Sequence, residues 1–270
     1  MNRSVVIGFV IYKPESCILN RIRLSVDLGF DIYIFDNSPE LEVVRLFCLT
    51  LQRVHYFTCG KNHGLGLGVS AICSQAYYEN NSALVFFDQD SIFDETTLNF
   101  IDKFYVDHPA LNATHSAVVF NARMDYKDEI FFHDVQLAIN SGSLFYLNNL
   151  RILNWHNEAY FVDGVDYEFC LRSRLKGFKI GEYSCTPGFD HSAEQPDRKY
   201  LILGKAISMR NYAYSRIVDV SISNLKLIVS SIVFGEINLS FKFLRLWITY
   251  LAFQALVRVI DFMDVFKIKK

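Results

Sequence analysis

The sequence predicts an α/β protein built on a mostly parallel sheet. Two observations carry that expectation. In the first half of the chain, short apolar runs of strand length alternate with longer stretches of helical spacing, the pattern that lays strands side by side in parallel. The acids and other polar residues of that half fall just beyond the ends of the apolar runs, which is where such sheets bind ligands.

The elements follow in order. Residues 5–12 are a continuous apolar run, as expected of a strand buried on both faces. The run is short, meets Pro14 and Glu15, and has no small-residue cleavage site after it. It is therefore read as a strand of a cytoplasmic protein and not as a signal peptide. Residues 15–28 have helical spacing and stop at Gly29. Residues 31–35 are the next strand, and 39–50 the next helix, with Pro39 in its first turn. Residues 54–58 form a third strand, leading to a glycine-rich loop at 60–68 and a helix to about Asn80. Residues 83–87 form a fourth strand that ends directly at Asp88. Right-handed crossovers should join these strands.

The second half is less regular. Residues 117–122, 135–139 and 178–183 read as strands. Residues 165–176 read as a helix, with acids at its start, bases in its last turns and Gly177 after it. Beyond Pro196 the pattern reads as helical, which places a domain at 1–222 and a helical segment at 223–270.

Composition excludes several classes of function. With 51% hydrophobic residues in 270 and a mean hydropathy of +0.16, the chain can fill a core and is not a disordered segment. The net charge of −2 argues against general nucleic-acid binding. None of the six cysteines makes a C-x-x-C pair, which argues against a zinc knuckle, and in the cytoplasm they should be reduced. The charge is uneven. From Asn224 onward there are seven Lys/Arg and three Asp/Glu; the totals of 27 and 29 leave 20 and 26 for the rest. A basic, apolar tail on an acidic body suggests contact with an anionic membrane surface, the plain alternative being a solvated basic face. The apolar run at 246–257 has twelve residues, and a membrane span needs about twenty. Helices lying on the bilayer are expected, not helices crossing it.

Four strand ends carry the candidate chemistry. The first ends at Tyr12-Lys13-Pro14, the second at Asp36-Asn37-Ser38, the third leads to Asn62-His63-Gly64, and the fourth ends at Asp88-Gln89-Asp90-Ser91. Two carboxylates two residues apart at the end of an apolar strand can grip a hard divalent cation; a helix-capping acidic turn is the plain alternative. The glycines at 60, 64, 66 and 68 could bring amides close to a phosphate or could serve a turn. The segment holding Asp163, Asp166 and Glu168 puts three acids at a helix start, where the helix dipole favours them and where one could take a proton from a hydroxyl. His191 sits in a turn-like stretch, Asp190-His191-Ser192.

Taken together these segments resemble the family 2 glycosyltransferases, and among them the bacterial rhamnosyltransferase-like branch. The resemblance runs from about Val5 to about Tyr214. Val10-Ile11-Tyr12-Lys13-Pro14 resembles the family's opening strand, with Lys13 in place of the usual Asn. Phe35-Asp36-Asn37-Ser38 resembles its nucleotide-contacting segment, and Asn62-His63-Gly64-Leu65-Gly66 its loop. Phe87-Asp88-Gln89-Asp90-Ser91 reads like the metal motif of that branch. Asn140-Ser141-Gly142-Ser143-Leu144 resembles its serine-glycine turn, the stretch from Phe161 to Arg172 its acidic helix, and Met209-Arg210-Asn211-Tyr212 a later helix. The usual glycine after the histidine is missing, because Ser192-Ala193-Glu194 follows His191.

The resemblance implies a GT-A fold and inverting transfer from a nucleotide-sugar donor, with dTDP-rhamnose as the lead and UDP-sugars as the alternative. It implies Mg²⁺ or Mn²⁺ held by Asp88 and Asp90, with His191 as a third ligand, and Asp166 as the base. Donor contacts are expected at Tyr12, Asp36, Asn62, Gly64, Asp88, Gln89, Ser141 and Gly142. The implied acceptor is a lipid-linked oligosaccharide of bacterial surface polysaccharide synthesis, met at the inner membrane surface. A nucleotidyltransferase would carry a glycine-rich basic turn after the first strand, where this chain has Tyr12-Lys13-Pro14-Glu15. A non-catalytic scaffold of the same fold is the other alternative.

Overall fold

The computed structural model describes residues 3–38, 42–121, 131–191, 198–202 and 205–268. It divides into two compact units, 1–192 and 193–270.

The first unit is a three-layer α/β structure. Its elements are β1 (Val6–Ile11), α1 (Cys17–Asp27), β2 (Ile32–Asp36), α2 (Glu42–Leu49), β3 (Val54–Thr58), α3 (Gly64–Tyr78), β4 (Ala83–Asp88), β5 (Ser91–Ile92), α4 (Glu95–Asp107), α5 (Leu111–Thr114), β6 (His115–Phe120), β7 (Phe132–Val135), β8 (Ser143–Tyr146), α6 (Leu147–Ile152), α7 (Val165–Leu175), β9 (Lys179–Tyr183) and β10 (Asp190–His191). The main sheet has the order β3-β2-β1-β4-β8-β6-β9-β7. The four strands β3, β2, β1 and β4 are parallel, as the alternation predicts. Strand β8 then runs antiparallel to β4 and β6.

The central strands bury every side chain because both sheet faces are covered. Ile18, Ile22, Val44, Leu98 and Ile101 of α1, α2 and α4 close one face. Val69, Ile72, Leu147, Leu150 and Phe169 of α3, α6 and α7 close the other. This double cover is the reason residues 5–12 read as continuously apolar.

Several elements differ from the sequence reading. Helix α3 begins at Gly64, so Gly64, Gly66 and Gly68 lie inside a helix and not in a loop. Their spacing lets the helix press close: a Cβ on Gly66 would lie 2.5 Å from the Tyr160 carbonyl oxygen, and one on Gly68 would lie 2.7 Å from Val10. The strand expected at 135–139 is shifted upstream, to Phe132–Val135. Pro39 and Ala122 lie outside the described residues.

The second unit contains a hairpin, β11 (Arg198–Ile202) and β12 (Lys205–Met209), then α8 (Tyr214–Val233) and α9 (Ile237–Ile268). The expectation of helix throughout after Pro196 is therefore corrected. The hairpin exists because its apolar side chains find a partner: Tyr200 and Met209 are buried with Val257. Met209 closes β12, and Arg210–Tyr212 is not helical. The expected boundary at 222/223 falls within α8, whose helical period continues through it.

Helix α9 also revises the reading of the tail. It runs unbroken, and its stretch Ile237–Met263, 27 residues, is long and apolar enough to cross a membrane by length and composition. The bases Lys242 and Arg245 sit inside this helix without ending it, which a short apolar run could not show.

Candidate active site

The acidic motif is a braced turn. Leu84, Val85, Phe86 and Phe87 are buried in β4, and Asp88 is its last residue, opposite Val10 in the register with β1. The chain turns through half-buried Gln89 and Asp90 and returns as β5. Four groups hold the turn. The Asp88 amide donates to Ser141 Oγ at 3.1 Å, and Ser91 Oγ lies 2.6 Å from the same oxygen. The Tyr12 amide donates to Gln89 Oε1 at 2.8 Å. Arg21 of α1 donates from Nη1 to the carbonyls of Gln89 and Ser91, each at 2.6 Å. Strand β10 pairs with β5 and puts the backbone of His191 opposite Ser91.

Two carboxylates on such a turn are hard oxygen donors. They fit Mg²⁺ or Mn²⁺, which take one or two protein carboxylates and fill the other positions with phosphate oxygens and water. Among the described residues no group of three or more His, Cys, Asp or Glu is placed to hold a metal.

The neighbouring strand end is tightly committed. Asp36 is buried, its Oδ1 accepting from the Ser38 amide at 2.7 Å and its Oδ2 from the Tyr56 hydroxyl at 2.6 Å. Burial, with Asp36 beside it, raises the Tyr56 hydroxyl above its ordinary range. Ser38 Oγ accepts from the Lys13 amide at 2.7 Å, where Lys13 has φ +43°. Asn37 bridges to the start of α3: it accepts from the His63 amide at 2.9 Å and donates to the Gly64 carbonyl at 3.0 Å. Asp36 thus shapes the rim through both oxygens. Tyr12 leaves its ring exposed there.

Asn62 and Gly64 take structural positions. Asn62 Oδ1 accepts from the Gly64 amide at 2.9 Å, and the Leu65 amide donates to the Phe161 carbonyl at 2.5 Å. The first amides of α3 are therefore engaged within the protein, which corrects the phosphate-loop reading of these glycines. Gly64 has φ +86°, and a Cβ there would lie 2.3 Å from the Phe161 oxygen. Ser141 and Gly142 also have partners within the protein. Ser141 is buried beneath the acidic turn, and Gly142, at φ +73°, donates to the Phe86 carbonyl while Phe189 covers it.

Helix α7 separates its acids by environment. Gly164, at φ +79°, caps the helix, and Asp166 and Glu168 lie in its first turn. Asp163 lies in the turn before it. Glu168 is forked onto Arg172, with Oε1 to Nε at 2.8 Å and Oε2 to Nη2 at 3.0 Å. That fork commits the buried Glu168 to Arg172 of its own helix. For Asp166, burial pushes the carboxyl up to about 6, against the lowering effect of amide hydrogen bonds, including one from Tyr167 at 3.1 Å. A carboxyl held near 6 is ionised at neutral pH and still basic enough to take a proton. The loop before α7 lines a polar cavity of about 550 Å³ with Ser70 and Arg172. His156 in that loop is buried, stacked 4.6 Å from Phe169. Burial and the Arg172 charge push its imidazole down to about 3.

The sequence reading missed Arg21, Ser91 and Asn37 as supports of the site. Arg21 stands 68 and 70 residues from its partners, on a helix whose own pattern gives no hint of them. Ser91 and Asn37 were visible beside the acids as part of their motifs.

No family model matches the chain. A curated relative, the dTDP-rhamnosyl transferase RfbF of Shigella flexneri, is 22% identical over 200 residues, 67% of this chain and 66% of that protein. The match spans slightly less than two thirds of the relative's length. Among solved structures, S. aureus TarS 1-349 in complex with UDP-GlcNAc superposes with a TM-score of 0.54 at 13% identity, covering 84% of this chain and 67% of that one. GalNAc-T7 with UDP, GalNAc and Mn²⁺ gives 0.52 at 10% identity, covering 67% and 42%. The chain has the GT-A fold. In that fold β4 delivers the acidic turn to the rim, and β8, reversing direction beside it, supplies the Ser141 support just ahead of its first residue.

Proposed function

We propose that the chain is an inverting glycosyltransferase that moves a sugar from a nucleotide diphosphate to a hydroxyl of a lipid-linked oligosaccharide. The observation that carries this reading is the pairing of a braced Asp88-Gln89-Asp90 turn at a strand end with a base-range carboxyl at Asp166. Asp88 and Asp90 would hold Mg²⁺ or Mn²⁺. When bound, the cation would stabilise negative charge on the departing diphosphate. His191, whose backbone lies beside the turn, is the candidate third ligand.

Asp166 takes the proton of the acceptor hydroxyl as its oxygen attacks the anomeric carbon. The bond to the diphosphate breaks with its electron pair on the phosphate oxygen, and the anomeric centre inverts. A positioned base typically contributes about 10²–10⁴-fold. Tyr12, with its exposed ring, is the proposed contact for the nucleoside, and Asp36, with both oxygens committed, shapes the rim beside it. Gln89, Asn62, Gly64, Ser141 and Gly142 serve the donor site by holding its walls.

dTDP-rhamnose is the lead donor, supported by the likeness to a dTDP-rhamnosyl transferase. A UDP-sugar is the second reading, favoured by the UDP-GlcNAc in the TarS structure. Surface polysaccharide synthesis at the inner membrane face suits the basic tail and the long apolar α9. The test is release of nucleoside diphosphate from a donor panel, with and without Mg²⁺ or Mn²⁺, using a membrane lipid extract as the acceptor source. Release from one donor, lost in chelator and in Asp90→Ala, is the expected result. Metal-independent release, or donor cleavage to a sugar phosphate, would overturn it.

A further inference from the structure

Arg21 has a role that the acids alone do not reveal. It lies on α1, four residues after the helix begins at Cys17, and is half-buried. One nitrogen, Nη1, donates to the Gln89 carbonyl, just before Asp90, and to the Ser91 carbonyl, both at 2.6 Å. The second terminal nitrogen donates to Cys17 Sγ at 2.9 Å, on the same helix one turn back. The guanidinium is thus held from α1 and spans the Asp90-Ser91 step of the turn.

We propose that Arg21 is the positioning residue of the acidic turn, fixing where the Asp90 carboxylate stands relative to Asp88 and so setting the affinity for a divalent cation and its diphosphate. Asp88 is fixed by the sheet and by Ser141, and Gln89 is fixed through its side chain by Tyr12. The carbonyl just before Asp90, and the Ser91 carbonyl one residue beyond it, are fixed by Arg21. A planar cation with several N–H donors can satisfy two carbonyls from one nitrogen while staying anchored by the other. A lysine keeps the charge and loses that fork. Arginine also stays charged at every working pH, so the brace is not itself a pH switch.

This inference rests on the proposed metal-dependent reading, and the test separates the two. The full chain is titrated with Mn²⁺ in the presence of UDP or dTDP, and free Mn²⁺ is read by electron paramagnetic resonance. Wild type, Arg21→Lys, Arg21→Met and Asp90→Ala are compared, with far-ultraviolet circular dichroism as the check on folding. Supports of a metal site typically cost about 10–100-fold in affinity when removed. Arg21→Met should weaken Mn²⁺ binding by about that factor, and Arg21→Lys should recover part of it. If Arg21→Met does not fold, the folded Arg21→Lys variant decides: weaker Mn²⁺ binding supports the role. Unchanged Mn²⁺ affinity in a folded Arg21 variant, with wild type binding and Asp90→Ala not, would overturn the Arg21 assignment alone. No Mn²⁺ binding by wild type would overturn the metal reading and this inference with it.

Discussion

Replacing Asp166 by asparagine removes an ionisable group whose surroundings disfavour its charge, and the consequences for stability and for chemistry have opposite signs. Burial holds the native carboxyl near 6, against 3.8 for the ordinary group. The native state therefore binds this proton more tightly than the unfolded chain. The associated stability is fully present below pH 4 and is lost as pH rises through 6. A shift of about two units at ~1.4 kcal/mol each gives a penalty of roughly 3 kcal/mol above pH 6, as an upper bound for a half-buried residue. Asparagine carries no such penalty and keeps an oxygen to accept from the Tyr167 amide. Asp166→Asn should thus be more stable than wild type at pH 8, by about 1–3 kcal/mol, with the difference vanishing near pH 4. Transfer should fall by about 10²–10⁴-fold while donor binding by calorimetry is kept. In wild type, kcat/KM should rise with pH through about 6 as Asp166 ionises. Denaturant unfolding at pH 4, 6 and 8, beside transfer and donor-binding assays, checks all of these. A variant less stable at pH 8, or one that loses donor binding as much as turnover, would refute the reasoning.

Three further outcomes are expected. His156→Phe should stabilise the protein by about 1–3 kcal/mol at neutral pH, because, among the described residues, neither ring nitrogen finds a partner and phenylalanine keeps the stack on Phe169. With the imidazole depressed to about 3, wild type should also lose stability as pH falls from 6.5 toward 3, and this loss should shrink in the variant when unfolding is followed by denaturant titration. Gly64→Ala should cost at least ~2 kcal/mol in thermal or chemical unfolding, since φ is +86° and the added carbon would meet the Phe161 carbonyl; an unchanged midpoint would contradict the close approach of α3. Aspartates at Ile222, Val229 and Val233, all exposed on α8, should weaken sedimentation with anionic vesicles without unfolding the chain; equal sedimentation would remove α8 from the membrane surface.

Much of the fold was legible because its strands are buried on both faces. Such strands must be apolar throughout, so residues 5–12, 31–35 and 83–87 announced themselves, and the acids ending the last two, Asp36 and Asp88, stood out by contrast. The hairpin at Arg198–Met209 was not legible, since its only signal is a few apolar residues whose partner, Val257, lies some fifty residues later. The unbroken course of α9 was hidden by interior bases that a helix exposed along much of its length tolerates. The site divides in the same way. Asp88, Asp90 and Asp166 stood out in the sequence as candidates, because chemistry restricts which residue types can bind a cation or take a proton. What each polar neighbour does was decided by tertiary structure alone: Asp36 saturated by Tyr56 and Ser38, Glu168 claimed by Arg172, Ser141 buried under the turn, and Arg21 reaching across from α1. Spacing along a chain records which groups are available. Hydrogen-bond partners tens of residues away determine which are left for a ligand, and that only the folded backbone sets.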